Sequence, residues 1–312
     1  MTEKVFKTYN SQMRILRSRG LIVKSSAKKI LESENYYNVI NGYKDLFLDH
    51  TQPTEKYKPG AEFSEINALY EFDRELRFIF LKRLLKIENQ IKSIIAYKFS
   101  EKYKHDNYLK LNNFDSHNHD SKRIQDIMRV IATLQRAISD QSGKHNAVTH
   151  YVTEYGYVPF WVLVNVLTFG NISKFYGVMK HQDKQAISKE FNLSYNVFFS
   201  YLKLMSIFRN ICAHDERLYN TKLGRVEIVS GNIHQRLGIQ RNSNKKYING
   251  TNDVFALLIC IKEFLPKRTK GEFSETIRLI DKEIEKLKGK LHTIHIDDVL
   301  NSMGFPANWR EL

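Results

Sequence analysis

From Ser64 to about Tyr103 the chain carries one sustained helical signal. Ile66, Leu69, Tyr70, Leu76, Ile79, Phe80, Leu84, Ile87, Ile91, Ile94 and Ile95 recur at helical spacing. That periodicity predicts a long amphipathic helix with Ser64 as its N-cap. Between the apolar residues stand Arg74, Arg77, Lys82, Arg83, Lys86 and Lys92, alongside Glu71, Asp73, Glu75 and Glu88. Most of the lysines are expected on a solvated face balanced by these acids; the alternative is a basic strip lining a nucleic-acid groove.

The remaining pattern is also helical. Five prolines and fourteen glycines in 312 residues are few for a β-sandwich or barrel, which needs many tight turns. Asn10 or Ser11 should cap a first helix ending at Gly20, and Ser25 or Ser26 a second. A polar loop with Pro53, Pro59 and Gly60 marks a plausible boundary. An amphipathic helix over Ile124 to Ile138 should stop at Ser142-Gly143. Residues 159 to 170 read as a buried helix stopped at Gly170, followed by short helices over 172–179 and 184–191. Ser194 should cap a helix carrying Val197, Phe198, Tyr201, Leu202, Met205 and Phe208. The pattern breaks down from Leu223 to Gly250, with a strand-like piece at Arg225 to Val229. Helices are expected again at 252–265 and 274–288. The fold class is all-α.

A net charge of +15 favours capture of polyanions, with affinity that falls as salt rises. Seventeen tyrosines and nineteen phenylalanines supply candidate stacking surfaces, although most belong to the core. Nucleic acid is the expected partner; the alternative is a solvated surface with no specific partner. Two cysteines, Cys212 and Cys260, fit a reducing compartment. Residues 1–7 lack the apolar core of a signal peptide, and no apolar run approaches a membrane span, so a cytoplasmic location is expected. His117 and His119 form a His-x-His pair without a third close ligand, better read with His105 as a polar loop than as a metal site. There is no P-loop and no G-x-G-x-x-G or G-x-S-x-G motif; no cofactor or metal is expected.

The run Phe208-Arg209-Asn210-Ile211-Cys212-Ala213-His214-Asp215-Glu216-Arg217-Leu218-Tyr219-Asn220 is the one stretch with the residue types for chemistry. On a helix, Asn210, His214 and Arg217 lie within about 60° of one another, whereas Arg209 sits about 140° from His214 and joins them only from the flank or through a local distortion. Metal-free RNA cleavage needs a base for the ribose 2′-hydroxyl, an acid for the departing 5′-oxygen and a cation for the charged phosphorane. Histidine serves as base or acid near neutral pH, and arginine offers a permanent charge matched to phosphate oxygens. Arg209, His214 and Asn210 are therefore the candidate catalytic residues, with Arg217 and Asn220 as RNA contacts. Lys245 and Lys246 are candidates for a wider RNA-binding surface, as are Lys267, Arg268 and Lys270. One histidine supplies half of an acid–base pair, which suggests two chains facing each other. A structural ion pair involving Asp215 or Glu216 is the competing explanation.

Five blocks together resemble the AbiD/AbiF-like abortive infection proteins of the HEPN superfamily. They are Asn35-Tyr36-Tyr37 with Gly42-Tyr43; residues Leu69 to Arg77 with Ile87-Glu88; Pro159-Phe160-Trp161 with Phe169-Gly170; Arg209 to His214 with Arg217 to Asn220; and Met303-Gly304-Phe305-Pro306 with Trp309. The resemblance implies a HEPN-type helical bundle over residues 59–235, an N-terminal helical segment over 1–58 and a C-terminal extension over 236–312. It implies that Arg209 and His214 form a ribonuclease site, that two copies meet as a homodimer, and that the protein acts in phage defence. It also admits a non-catalytic RNA-binding regulator or a toxin–antitoxin component. A helix-turn-helix DNA binder built on residues 1–50 lacks a clear recognition helix.

Overall fold

The computed structural model describes residues 5–116, 120–265 and 270–312. It is mainly helical, and no β-strand occurs among the described residues. The helices are α1 (Tyr9–Ser18), α2 (Ala27–Ser33), α3 (Phe63–Tyr103), α4 (Ser121–Gln141), α5 (Asn146–Tyr155), α6 (Phe160–Leu163), α7 (Phe169–Val178), α8 (His181–Lys189), α9 (Tyr195–Ala213), α10 (Asn232–Arg236), α11 (Val254–Phe264), α12 (Lys270–Lys288) and α13 (Ile296–Ser302).

The 41-residue α3 is the axis on which α6, α7, α8, α9, α11 and α12 pack. Its start differs from expectation by two residues. Glu62, not Ser64, is the N-cap, because Glu62 and Glu65 form a reciprocal capping box, with the Glu62 N–H donating to Glu65 at 3.1 Å. Glu65 is fully buried and also accepts from the backbone N–H groups of His292 and Thr293 and from the Thr293 hydroxyl, at 2.6–2.8 Å. Burial alone would raise this carboxyl, but these donors hold it below its ordinary value.

Leu69, Leu76, Phe80, Leu84, Ile91 and Ile95 are fully buried along α3, each worth roughly 1.5–3 kcal/mol of transfer free energy. The expected solvated face holds only in part. Lys82 and Lys86 face solvent, but Asp73, Arg77, Arg83, Glu88 and Lys92 are buried. They escape the cost of buried charge by pairing: Arg83 reaches Glu275 of α12 at 2.6 Å, and Lys92 reaches Glu88 at 2.8 Å.

Other elements adjust the sequence reading. Thr8, not Asn10 or Ser11, caps α1, while Ser26 precedes α2 and Ser194 caps α9 as expected. Residues 159–170 are not one helix. A short α6 passes through a single turn at Val164–Val166, and α7 then starts afresh with Thr168 as its N-cap, so Gly170 lies in the first turn of a new helix. Residues 225–229 are not a strand; Ile228 donates to the Thr251 carbonyl at 2.7 Å from irregular chain. Helix α11 is buried on all sides, which explains its lack of polar periodicity. No helix among the described residues is long and apolar enough to cross a membrane.

The closing segment packs around Asp253, which caps α11 through the Ala256 N–H at 2.9 Å. Gly304 has a φ of +80°, and a Cβ there would stand 2.1 Å from the Asp253 carboxylate. Only glycine fits. Trp309 stacks edge-on against Phe305 beneath it and is fully buried.

His234, in the 223–250 region, is almost fully buried. Its Nδ1 accepts from the Gly231 N–H, and its Nε2–H donates to the Gly250 carbonyl at 2.7 Å. Burial lowers its pKa from the ordinary 6.5, so the neutral ring is favoured. A group depressed on folding contributes stability that is present above its unfolded value and is lost as pH falls through the folded one. Lowering pH from 7.5 toward 5 should therefore reduce the Tm more in the wild type than in His234→Gln. Parallel Tm–pH curves for the two proteins would refute this.

Candidate functional site

Helix α9 presents the candidate motif at its C-terminal end. Phe198, Leu202, Met205, Phe208 and Ile211 are buried, and the helix packs against α3, α7, α8 and α11. That leaves Arg209 half-exposed and Asn210 exposed. The helix ends at Ala213. His214 departs from helical geometry (φ −102°, ψ 15°) and Asp215 turns into the left-handed region at φ +57°. The His214 ring is exposed, and no hydrogen bond or ion pair engages it among the described residues.

Two buried groups of α3 hold the segment. Glu88 accepts from Arg209 Nε at 2.9 Å while its other oxygen meets Lys92, so the guanidinium is oriented from one edge with Nη1 and Nη2 left for an anion. About four turns earlier on α3, Asp73 forms the second anchor. It is completely buried and accepts from Arg77 and the Tyr43 hydroxyl at 2.5 Å, and from the backbone N–H groups of Leu218 at 3.0 Å and Tyr219 at 2.6 Å. Arg77 in turn meets Asp215. Tyr43 stacks on Tyr219 with ring centroids 5.5 Å apart. Burial and the adjacent Asp73 carboxylate push the Tyr43 hydroxyl well above its usual pKa, so it remains a donor. Asp215 therefore has a structural ion pair, as the competing explanation held, whereas His214 does not.

Arg217 is exposed and donates to the Gly42 carbonyl at 2.7 Å. Asn220 is partly buried, and its Oδ1 is shut away without a partner among the described residues. Lys245 and Lys246 stand on a separate loop. Lys245 has φ +59° and Lys246 pairs with Glu227 at 3.5 Å. This region meets α9 where Val229 donates to Ser200, nine residues or about 13 Å before Arg209 along the helix. His117, His119, Lys267 and Arg268, and the side chain of Lys270, lie outside the described residues. No group of three or more His, Cys, Asp or Glu side chains among the described residues could hold a metal ion. Cys212 is buried, which pushes its thiol up to about 12 and leaves it unreactive.

Glu88, Asp73 and Arg77 are the supporting residues that the sequence reading counted among solvated charges or passed over. A signal was present. Leu69, Asp73, Leu76 and Phe80, and likewise Leu84, Glu88, Ile91 and Ile95, follow the four–three–four spacing of one buried stripe. A carboxylate on such a stripe must have partners from elsewhere in the chain.

A family model described as Abi-like protein matches residues 29–220, a span that ends at Asn220 and includes Tyr43, the whole of α3 and the α9 motif. Neither the curated proteins nor the solved structures searched give a match.

Proposed function

The chain belongs to the Abi-like protein family, and from that premise we propose that it is an abortive-infection phage-defence protein of the HEPN type, in the AbiD/AbiF branch, whose activity is metal-independent RNA cleavage at Arg209 and His214. The observation that carries this reading is the contrast at the end of α9. Arg209 is aimed by a buried carboxylate, and the adjoining loop is clamped to α3, yet the His214 ring faces solvent with no structural task. A histidine held at a rigid terminus but not used by the fold is available for proton transfer.

In the proposed reaction the ribose 2′-oxygen loses its proton to one imidazole and bonds to the adjacent phosphorus. The bond to the 5′-oxygen breaks, and that oxygen takes a proton from a second imidazole. The products are a 2′,3′-cyclic phosphate and a 5′-hydroxyl. Arg209 stabilises the phosphorane charge, Asn210 orients the phosphate or the ring, and Arg217 contacts a neighbouring phosphate.

The second imidazole comes from another copy. Phe78 is 60% and Leu85 41% exposed on the α3 face beside Arg77 and Glu88, with Leu81 partly buried between them. The three span about 10 Å along the helix. A second copy covering this strip would bring two motifs together. Leu85→Glu is expected to convert a dimer into a monomer by light scattering and to remove cleavage. A monomeric wild type, or a Leu85→Glu variant that remains dimeric, would count against this interface.

The test of the activity is incubation of the purified protein with total RNA in EDTA. Discrete fragments that disappear in His214→Ala support the nuclease. Intact RNA, with salt-sensitive binding alone, would mean a non-catalytic RNA-binding regulator that uses the same surface.

A further inference from the structure

Trp161 is 48% exposed, although Phe160 and Leu163 on either side of it are fully buried. It stands on a groove of about 680 Å³ lined with Asn89, Lys92, Ser93 and Tyr97 of α3 and with Asn165. That volume is within the roughly 300–1,000 Å³ of ligand-sized sites. Tyr97 is 63% exposed, so neither large ring is spent on the core. Beyond Trp161 the aromatic groups continue. The His105 ring lies 6.5 Å from Trp161 and 4.9 Å from Tyr157, and Tyr157 lies 6.4 Å from Tyr155, itself exposed. At the other end the groove meets the candidate site through side chains already described. Lys92 on its wall bonds Glu88, and Glu88 bonds Arg209.

We propose that this row, Tyr97–Trp161–His105–Tyr157, is a stacking track that holds the unpaired bases of a single-stranded RNA next to the Arg209–His214 site. This rests on the reading that the chain acts on RNA and adds where the strand lies and which form of RNA it takes. Planar faces accept any unstacked base, while the Asn89 amide and the Ser93 hydroxyl offer donors and acceptors to base edges, and the Asn165 amide, whose Nδ2 donates to the Trp161 and Val162 carbonyls, offers its oxygen. From Glu88 to Lys104 the helix and its C-cap carry four lysines, of which Lys92, Lys98 and Lys102 pair with Glu88, Glu190 and Asp183, so the row holds a strand by its rings and polar edges more than by net charge. A duplex hides its base faces in its own stack, so the row excludes it.

The protein has two tryptophans, and Trp309 is fully buried, so quenching by a strand is read at Trp161. The probe is a single-stranded oligouridylate, titrated into the full-length His214→Ala protein in EDTA beside an RNA duplex of equal length. Quenching by the single strand and not by the duplex is expected. Trp161→Ala and Tyr97→Ala, followed by anisotropy of a labelled oligouridylate, should each weaken binding about 5- to 100-fold without changing the Tm. Equal response to the duplex, or wild-type affinity in both variants, overturns the track. Loss of the single-strand response as protein concentration is raised also overturns it, because a second copy then occupies the row. Cleavage is read separately. RNA left intact by the wild type while the track variants lose binding would sink the nuclease and leave the track standing.

Discussion

Asp73→Ala is expected to lower stability by about 3–5 kcal/mol, the usual cost of removing one partner from a buried ion pair. The side chain is completely buried and satisfies four donors, two of which are the backbone groups of Leu218 and Tyr219. Its loss leaves the Arg77 guanidinium, 2% exposed, opposed only by Asp215 at the surface. The double variant Asp73→Ala/Arg77→Leu should be more stable than the single one, since it removes the orphaned charge as well. Urea denaturation of both proteins gives the comparison. A loss below about 1 kcal/mol for Asp73→Ala, the scale of an exposed pair, would show that the pair does not hold the loop.

His214→Ala is expected to lower the cleavage rate about 10²- to 10⁴-fold, the range for loss of a general acid or base. The Tm should stay at the wild-type value because the ring makes no hydrogen bond or ion pair among the described residues. Arg209→Ala should differ in kind. It removes the phosphate-facing cation and also leaves Glu88, 3% exposed, with Lys92 alone, so activity and Tm should both fall. Single-turnover cleavage of a labelled RNA, with thermal unfolding of the same preparations, separates the two effects. A His214→Ala protein that cuts at the wild-type rate would remove the proposed chemistry.

The long helix was legible because its apolar residues repeat for eleven turns with no competing signal. The motif was legible because arginine, asparagine and histidine crowd a helix end. Its support was not, since besides Lys92 and Arg77 on the same helix Glu88 and Asp73 bind Arg209 and Leu218, 121 and 145 residues further on, a separation that helical periodicity does not encode. Local rules also misplaced the cap of α3. Serine is the stronger general N-cap, but here the Glu62–Glu65 pair closes two residues earlier and Ser64 donates to Glu62 instead. Gly170 read as a stop because glycine commonly follows a helix, whereas the hydroxyl of Thr168 starts a new one there. The Tyr97–Trp161 groove escaped notice because aromatic residues in an apolar run read as core.

The buried carboxylate of Glu65 has an implication for how the protein is made. Its partners, the N–H groups of His292 and Thr293, lie 227 and 228 residues downstream, and Arg83 waits for Glu275 and Thr276 in the same way. A ribosome that has just finished the α9 motif has therefore exported a platform with two ionised groups still unmatched. The last part of the chain acts as a latch, so a prematurely terminated product carries the motif residues on a scaffold that cannot close.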